Sequence, residues 1–238
     1  VGRYRSQELQ VAALAGQGTA VPPGPAIDLR ARAWYNPGLE SIKFNIPGLI
    51  GLLMQNITIM LTAFALVRER ERGTLEQLMV TPVRSLELMV GKLIPYILIA
   101  FMDMGLALSI GIFWFKVPVA GSIPLLLGLT LLFLIFALGL GMFFSTVART
   151  QLQAMQMTML FILPSVLLSG FIFPRASMPP VIQYLGNLIP LTYFLDILRG
   201  IMLKGVGIEY LWGDVLPLAG FGAGIIALAS WRFRKRVE

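Results

Sequence analysis

The sequence predicts an all-α polytopic membrane protein with five transmembrane helices, and three observations carry that prediction. Hydrophobic residues make up 57% of the 238 positions and charged ones only 13%, where a soluble domain carries nearer a quarter charged. The apolar residues fall in blocks of about twenty or more, each long enough at about 1.5 Å per residue to cross a hydrocarbon core of about 30 Å. Histidine and cysteine are both absent, which removes His/Cys metal sites, thiol nucleophiles and Ser-His dyads. An ordinary soluble enzyme is excluded, and no metal site is expected.

Residues 1–45 differ from the rest. Val21-Pro22-Pro23-Gly24-Pro25 reads as an extended linker. Ile27, Leu29, Ala31 and Ala33 then alternate with Asp28, Arg30, Arg32 and Trp34, a half-buried strand pattern. One strand cannot stabilise itself, so this small β remnant is expected to be the tail end of a soluble domain whose other strands lie upstream or in another chain. The chain opens on Val1 and its first methionine is Met54, so it is expected to be part of a longer gene product. Asn36-Pro37-Gly38 turns the chain ahead of the membrane.

The spans are expected at about 46–67, 93–115, 123–147, 152–173 and 212–231, making 46–238 the membrane domain. Arg68, Arg70, Arg72, Arg84, Lys92, Arg149 and the basic run Arg232, Arg234, Lys235 and Arg236 all fall on one side. The other side's short loops hold Lys116, Arg175, Arg199 and Lys204. The bias toward basic cytoplasmic loops puts the N-terminal tail outside and the C-terminus in the cytoplasm. The net charge of +7 belongs to this anchoring, and no nucleic-acid partner is expected.

The loop after the first span is the most informative stretch. Arg68 to Arg72 alternate in sign and can extend the helix past the headgroups. Gly73 suits the left-handed position that ends a helix. Thr74 can cap a new helix, with Gln77 completing a capping box, and Thr81-Pro82 stops it. The result is an isolated short helix carrying Leu75, Leu78 and Met79 beside Glu76 and Gln77. It reads either as a loop lying on the headgroups or as a docking knob for a cytoplasmic partner. Ser85 can cap a further helix that leads into the second span.

Asp103 sits near the centre of the span 93–115, where an acid costs about 2.5–3.5 kcal/mol on insertion scales. It reads as a carboxyl bonded to neighbouring hydroxyls or protonated, or as a polar element of a translocation path. Gln153, Gln156 and Thr158 lie in the first half of the span 152–173, and Thr150 with Gln153 forms a second capping box. Pro164 frees the carbonyl of Leu160 and is expected to kink that helix. Ala137/Gly141 and Gly220/Gly224 are small pairs suited to close helix packing. The stretch 178–205 is too interrupted for one spanning helix. Two short helices dipping in from the outer face fit it, with Asp196 and Arg199 spaced to pair.

Glu71-Arg-Gly-Thr-Leu-Glu-Gln-Leu78 resembles the cytoplasmic loop of type-2 ABC transporter permeases of bacterial exporters. Gly91-Lys-Leu-Ile-Pro-Tyr96, Leu168-Ser-Gly-Phe-Ile-Phe-Pro174, Asn187-Leu-Ile-Pro-Leu-Thr-Tyr-Phe194 and Ala33-Trp-Tyr-Asn-Pro37 resemble the same family in the same order. The resemblance implies six spans in the full fold, of which this chain would lack the first and most of the extracytoplasmic domain that follows it. It implies that the helix at 75–80 is a coupling helix seated in an ATP-binding subunit. Glu69, Arg70, Glu71, Arg72, Gly73, Thr74, Leu75, Glu76, Gln77 and Leu78 form the coupling set. It places re-entrant helices at the outer face; Pro190, Thr192, Tyr193, Asp196 and Arg199 then read as a gate or roof over the exit path, against a plain amphipathic surface loop. Asp103, Gln153, Gln156 and Pro164 are candidates for the translocation path.

No nucleotide site is visible in this chain, since Gly91-Lys92 lacks the rest of a P-loop. ATP and magnesium are therefore expected in a separate ATP-binding cassette subunit. A second permease copy or a related chain, membrane lipid and a periplasmic adaptor complete the expected partners of a multi-pass inner-membrane efflux subunit. The alternative from another class is an ion-gradient-driven antiporter using Asp103.

Overall fold

The computed structural model describes residues 41–73 and 85–237. The strand pattern at 27–34, the short helix at 75–80 and its Thr74–Gln77 capping box lie outside the described residues.

Helix α1 spans Ser41–Glu71, starting one turn before the expected 46. Pro47 explains the difference. It lacks the N–H that would bond the carbonyl four residues back and so reads as a helix start, yet it is buried inside the helix. The charged run Arg68 to Glu71 stays helical as expected. Gly73 then takes a left-handed φ of 70° and donates its N–H to the Arg70 carbonyl at 3.1 Å.

Helix α2, Ser85–Phe113, runs unbroken through Gly91 and Pro95. The helix expected ahead of the second span and the span itself are therefore one rod. Helix α3 covers Ile123–Val147, capped by Ser122, whose hydroxyl accepts from the Leu125 N–H; both bounds match the expected span.

Helix α4 is Gln151–Leu168 and passes through Pro164 without interruption. It ends five residues short of the expected 173. Gly170 adopts φ 83°, and the apolar Phe171-Ile172-Phe173 that extended the hydropathy signal belongs to the turn beyond. At its start Thr150 Oγ1 accepts from the Gln153 N–H at 3.3 Å, as expected. The return bond differs, because Gln153 Oε1 accepts the Arg149 N–H at 2.8 Å instead of that of Thr150. Thr150→Ala should cost about 1 kcal/mol of stability. Thermal unfolding in detergent checks this, with Thr150→Ser expected to stay near the parent.

Two short helices follow, as the interruptions predict. Helix α5 is Pro180–Gly186, and α6 is Pro190–Arg199, continued by a π-helical turn to Lys204. They meet at a 91° bend. Helix α7, Trp212–Val237, closes the bundle. Helices α1, α2, α3, α4 and α7 are each long and apolar enough to cross a membrane. No strand occurs among the described residues.

Helix α3 is the hub, with α1, α6 and α7 packed on it. Two glycines spaced two residues apart point to opposite sides and allow this. A Cβ on Gly139 would lie 2.7 Å from Ile225 of α7, and one on Gly141 would lie 2.8 Å from the Ile59 carbonyl of α1. Gly141 thus packs as expected. Gly220 and Gly224 do not, since nothing lies within 4 Å of either added Cβ. They instead border an apolar cleft of about 370 Å³ lined by Phe136, Pro217, Phe221 and Ile225.

The core is centred on Phe133 of α3, stacked on Phe194 of α6 with centroids 4.0 Å apart and planes within 5°. Helix α4 lies against α1. Its buried Ala154, Thr158 and Ser165 share one face, and Ala154 clusters with Ala63 and Val67 of α1.

Candidate functional site

The expected site residues separate into three regions. The first is the basic end of the bundle, where α1 emerges beside the turn joining α3 to α4. The Arg70 guanidinium donates to the carbonyls of Ala148 at 2.8 Å and Ser145 at 3.3 Å. The Glu71 carboxylate accepts the Gln151 backbone N–H at 2.9 Å and its side-chain amide at 2.5 Å. Helix ends leave carbonyls unpaired at the C-terminus and N–H groups unpaired at the N-terminus. A cation therefore meets the end of α3 and an anion the start of α4, each matching the local helix dipole. Arg72 and Gly73 are exposed, and Glu69 is half-buried. The remaining coupling candidates, Thr74, Leu75, Glu76, Gln77 and Leu78, lie outside the described residues.

The coupling set is thus of two kinds. Arg70 and Glu71 are engaged within the chain, and Arg72 points to solution. Gln151 and the carbonyls of Ser145 and Ala148 were missed by the sequence reading. Charge alternation indicates that a helix continues, but it does not reveal which face meets a turn eighty residues later.

The second region is the middle of the bundle. Asp103 is half-buried, and its Oδ2 is buried without a hydrogen-bond partner. Of the readings the sequence left open, the bond to a neighbouring Ser or Thr is not made among the described residues. Gln55 of α1 is wholly buried and both its amide atoms lack partners, as does Thr58 Oγ1. Gln55 was not singled out from sequence, where one amide among apolar residues gives no periodic signal. The hydroxyls of Thr62, Thr158 and Ser165 each bond a carbonyl one turn back in their own helix. Gln153 and Gln156 are exposed on the outer face of α4, among Leu152, Met155 and Met159. Pro164 is half-buried on the same helix.

The third region is the bend between α5 and α6, and here the expected gate residues are brought together. Pro190 opens α6 and is buried. Thr192 donates its hydroxyl to the Gly186 carbonyl at 2.7 Å, and Tyr193 donates to the Asn187 carbonyl at 2.9 Å. Together they tie α6 back across the bend to α5. Asp196 does not pair with Arg199 as the spacing suggested; it faces Arg175 at 3.8 Å. Arg175 also bonds the Asn187 side chain. Arg199 is turned inward, donating to the Gly170 carbonyl at 3.1 Å with its guanidinium 3.7 Å above the Phe44 ring. Its Nε and a second terminal nitrogen have no partner. The i,i+3 spacing permits the Asp196–Arg199 pair. A helix turned into the bundle instead offers Arg199 an aromatic face and an open carbonyl. Arg175, Asn187, Gly170 and Phe44 were not foreseen, because each comes from a different element.

Comparison with known proteins places this sequence in a family. A family model described as "ABC-2 type transporter" matches residues 31–203. The chain is 37% identical over 215 residues to "Probable multidrug ABC transporter permease YbhS" of Escherichia coli strain K12, covering 90% of this chain and 57% of that protein. It is 35% identical over 219 residues to "Inner membrane transport permease YhhJ" of the same strain, again covering 90% and 57%. More distantly, it is 28% identical over 197 residues to "ABC transporter G family member 20" of Dictyostelium discoideum, covering 83% of this chain and 27% of that protein. The chain therefore spans little more than half the length of the bacterial relatives. The matched segment runs from ahead of α1 through α6 and takes in both the basic end and the bend, and the chain belongs to the ABC-2 type transporter family.

Proposed function

We propose that these 238 residues are the membrane-spanning part of a permease subunit of an ATP-driven exporter, without a catalytic site of their own. The observation that carries this reading is the ABC-2 match lying across four of the five long apolar helices, in a sequence with no P-loop. ATP and magnesium would be bound by a separate ATP-binding cassette subunit. That subunit would seat on residues 74–78, with Arg72 beside them. The basic end faces the cytoplasm and the α5–α6 bend faces outward, following the distribution of arginine and lysine.

A second copy or a related chain would cover the exposed face of α4 that carries Gln153 and Gln156. Asp103, Gln55 and Pro164 supply polar or helix-breaking elements to the wall of the path. The names of the YbhS and YhhJ relatives suggest multidrug transport across a bacterial inner membrane. Residues 1–40, ahead of α1, fit the end of an extracytoplasmic domain, available to a periplasmic adaptor. The family match favours ATP over an ion gradient as the energy source.

The test is made on the full-length gene product, extracted in mild detergent from its own host. A soluble ATPase with Walker sequences should co-purify. Replacing Glu76 and Leu78 with alanine should lower its recovery by about tenfold or more, as removal of interface anchors does, while the subunit still inserts. Recovery of no ATPase, or unchanged recovery with both residues replaced, would count against the reading.

A further inference from the structure

From the basic end of the bundle we infer that Arg70 and Glu71 are positioning residues for transmission. They form a double cap that makes α1, α3 and α4 move as one body when the segment after Gly73 is pushed. The inference rests on the proposal that residues 74–78 dock an ATP-driven partner, and goes beyond it by naming where the push is delivered.

The geometry is specific. Helix α1 is one rod of 31 residues, about 46 Å long at 1.5 Å per residue. Only Arg72 and Gly73 separate Glu71 from residue 74. Adjacent residues on a helix point about 100° apart. Arg70 and Glu71 can therefore straddle the α3–α4 turn, reaching the carbonyls that end α3 and the first N–H of α4. Each bond is charge-assisted, and each charge sits at the helix end whose dipole favours it.

The family resemblance implied a partner-interface role for both residues, a role that would leave these helix-end groups without their caps. Closer to mid-depth the hydroxyls of Thr62, Thr158 and Ser165 bond within their own helices. Among the described residues, the side-chain hydrogen bonds joining α1 to the ends of α3 and α4 are concentrated here. A displacement of α1 is passed to α3 and α4 through this double cap.

The experiment uses the full-length subunit with its co-purified ATPase, on a background cleared of cysteines, of which these 238 residues have none. A reporter cysteine replaces Leu160, on the face of α4 that a second permease chain would cover, so its labelling reports movement of that face. Three readouts are taken for Arg70→Gln, Glu71→Gln and the pair: ATPase recovery, ATP hydrolysis, and the change in maleimide labelling of the reporter on adding ATP with vanadate. The expected result is near-parental recovery and hydrolysis, with the ATP-dependent labelling change in the double variant reduced by at least about fivefold, the lower bound of a typical coupling between sites. With Arg70→Gln kept and position 71 made cysteine instead of glutamine, a Glu71→Cys, Gln151→Cys disulfide should restore that change, and its reduction with dithiothreitol before labelling should remove it again. A purely structural role would lower recovery and would not give a reducible rescue.

An unchanged labelling response in the double variant overturns the inference while leaving the docking proposal standing. So does a disulfide that blocks the response, since the three helices would then have to separate. Failure to recover any ATPase with the parent protein overturns both.

Discussion

Replacing Gly141 with leucine is expected to separate α1 from α3 and to leave little protein that survives mild heating in detergent. A Cβ at this position meets the Ile59 carbonyl and the Thr62 Cβ, both at 2.8 Å. Neither can give way, because one is helix backbone and the other is a side-chain stem attached to it. Overpacking usually costs about 1–3 kcal/mol when side chains can shift. Here the whole of α1 must move, so the upper end of that range or more is expected. Gly141→Ala should show a smaller loss of the same kind. Gly220 provides the control, since an added Cβ there has nothing within 4 Å. Gly220→Ala should be neutral or slightly stabilising through better helix propensity. Fluorescence-detected size exclusion after a temperature series reads all three variants, and equal losses at 141 and 220 would sink the claim.

The second large effect is expected from Phe194→Ala. Phe194 and Phe133 are both fully buried and stacked face to face. Gly51 of α1 brings its backbone close to Phe194, Leu195 and Leu198. In a soluble core, removing such a ring costs about 3–5 kcal/mol. In a membrane the apolar transfer contribution is largely lost, because lipid is as apolar as the interior. What remains is the cavity and the broken stacking, so about 3 kcal/mol is the appropriate expectation. The loss should be local to α6. A cysteine at Leu198, buried in the parent, should become reactive to maleimide in the Phe194→Ala background while α3 keeps its place. A Leu198→Cys that stays protected would show that α6 is held by other contacts, with the Thr192 and Tyr193 hydrogen bonds the next to examine.

Much of the fold was readable from the sequence. The bounds of α3 could be read at both ends because Ser122-Ile123-Pro124 and Ala148-Arg149-Thr150 interrupt an unbroken apolar run. Helix α1 was harder at its start, since a proline inside a packed membrane helix looks the same in sequence as one that opens it. The end of α4 was misplaced because hydropathy continues through Phe171-Ile172-Phe173 while the backbone turns at Gly170. Pairs such as Ala137/Gly141 and Gly220/Gly224 share a spacing, and only the neighbouring helix determines which of them is a contact. The same limit explains the outer bend, where Asp196 and Arg199 have the spacing of partners. Arg175 and Gly170, which take those roles, come from the far side of a turn. Spacing reports what one helix can do alone, and the site residues of this chain are mostly defined by pairs of elements.

The buried hydroxyls of α1 and α4 have a consequence for motion. Thr62, Thr158 and Ser165 keep their bonds inside their own helices. A membrane interface joined by cross-helix hydrogen bonds would lose about 0.6–2 kcal/mol for each one broken as the helices slid. Between α1 and α4 at mid-depth that barrier is missing. Their small, self-contained side chains form a bearing surface at mid-depth, so resistance to sliding is concentrated at the basic end, where Glu71 holds Gln151.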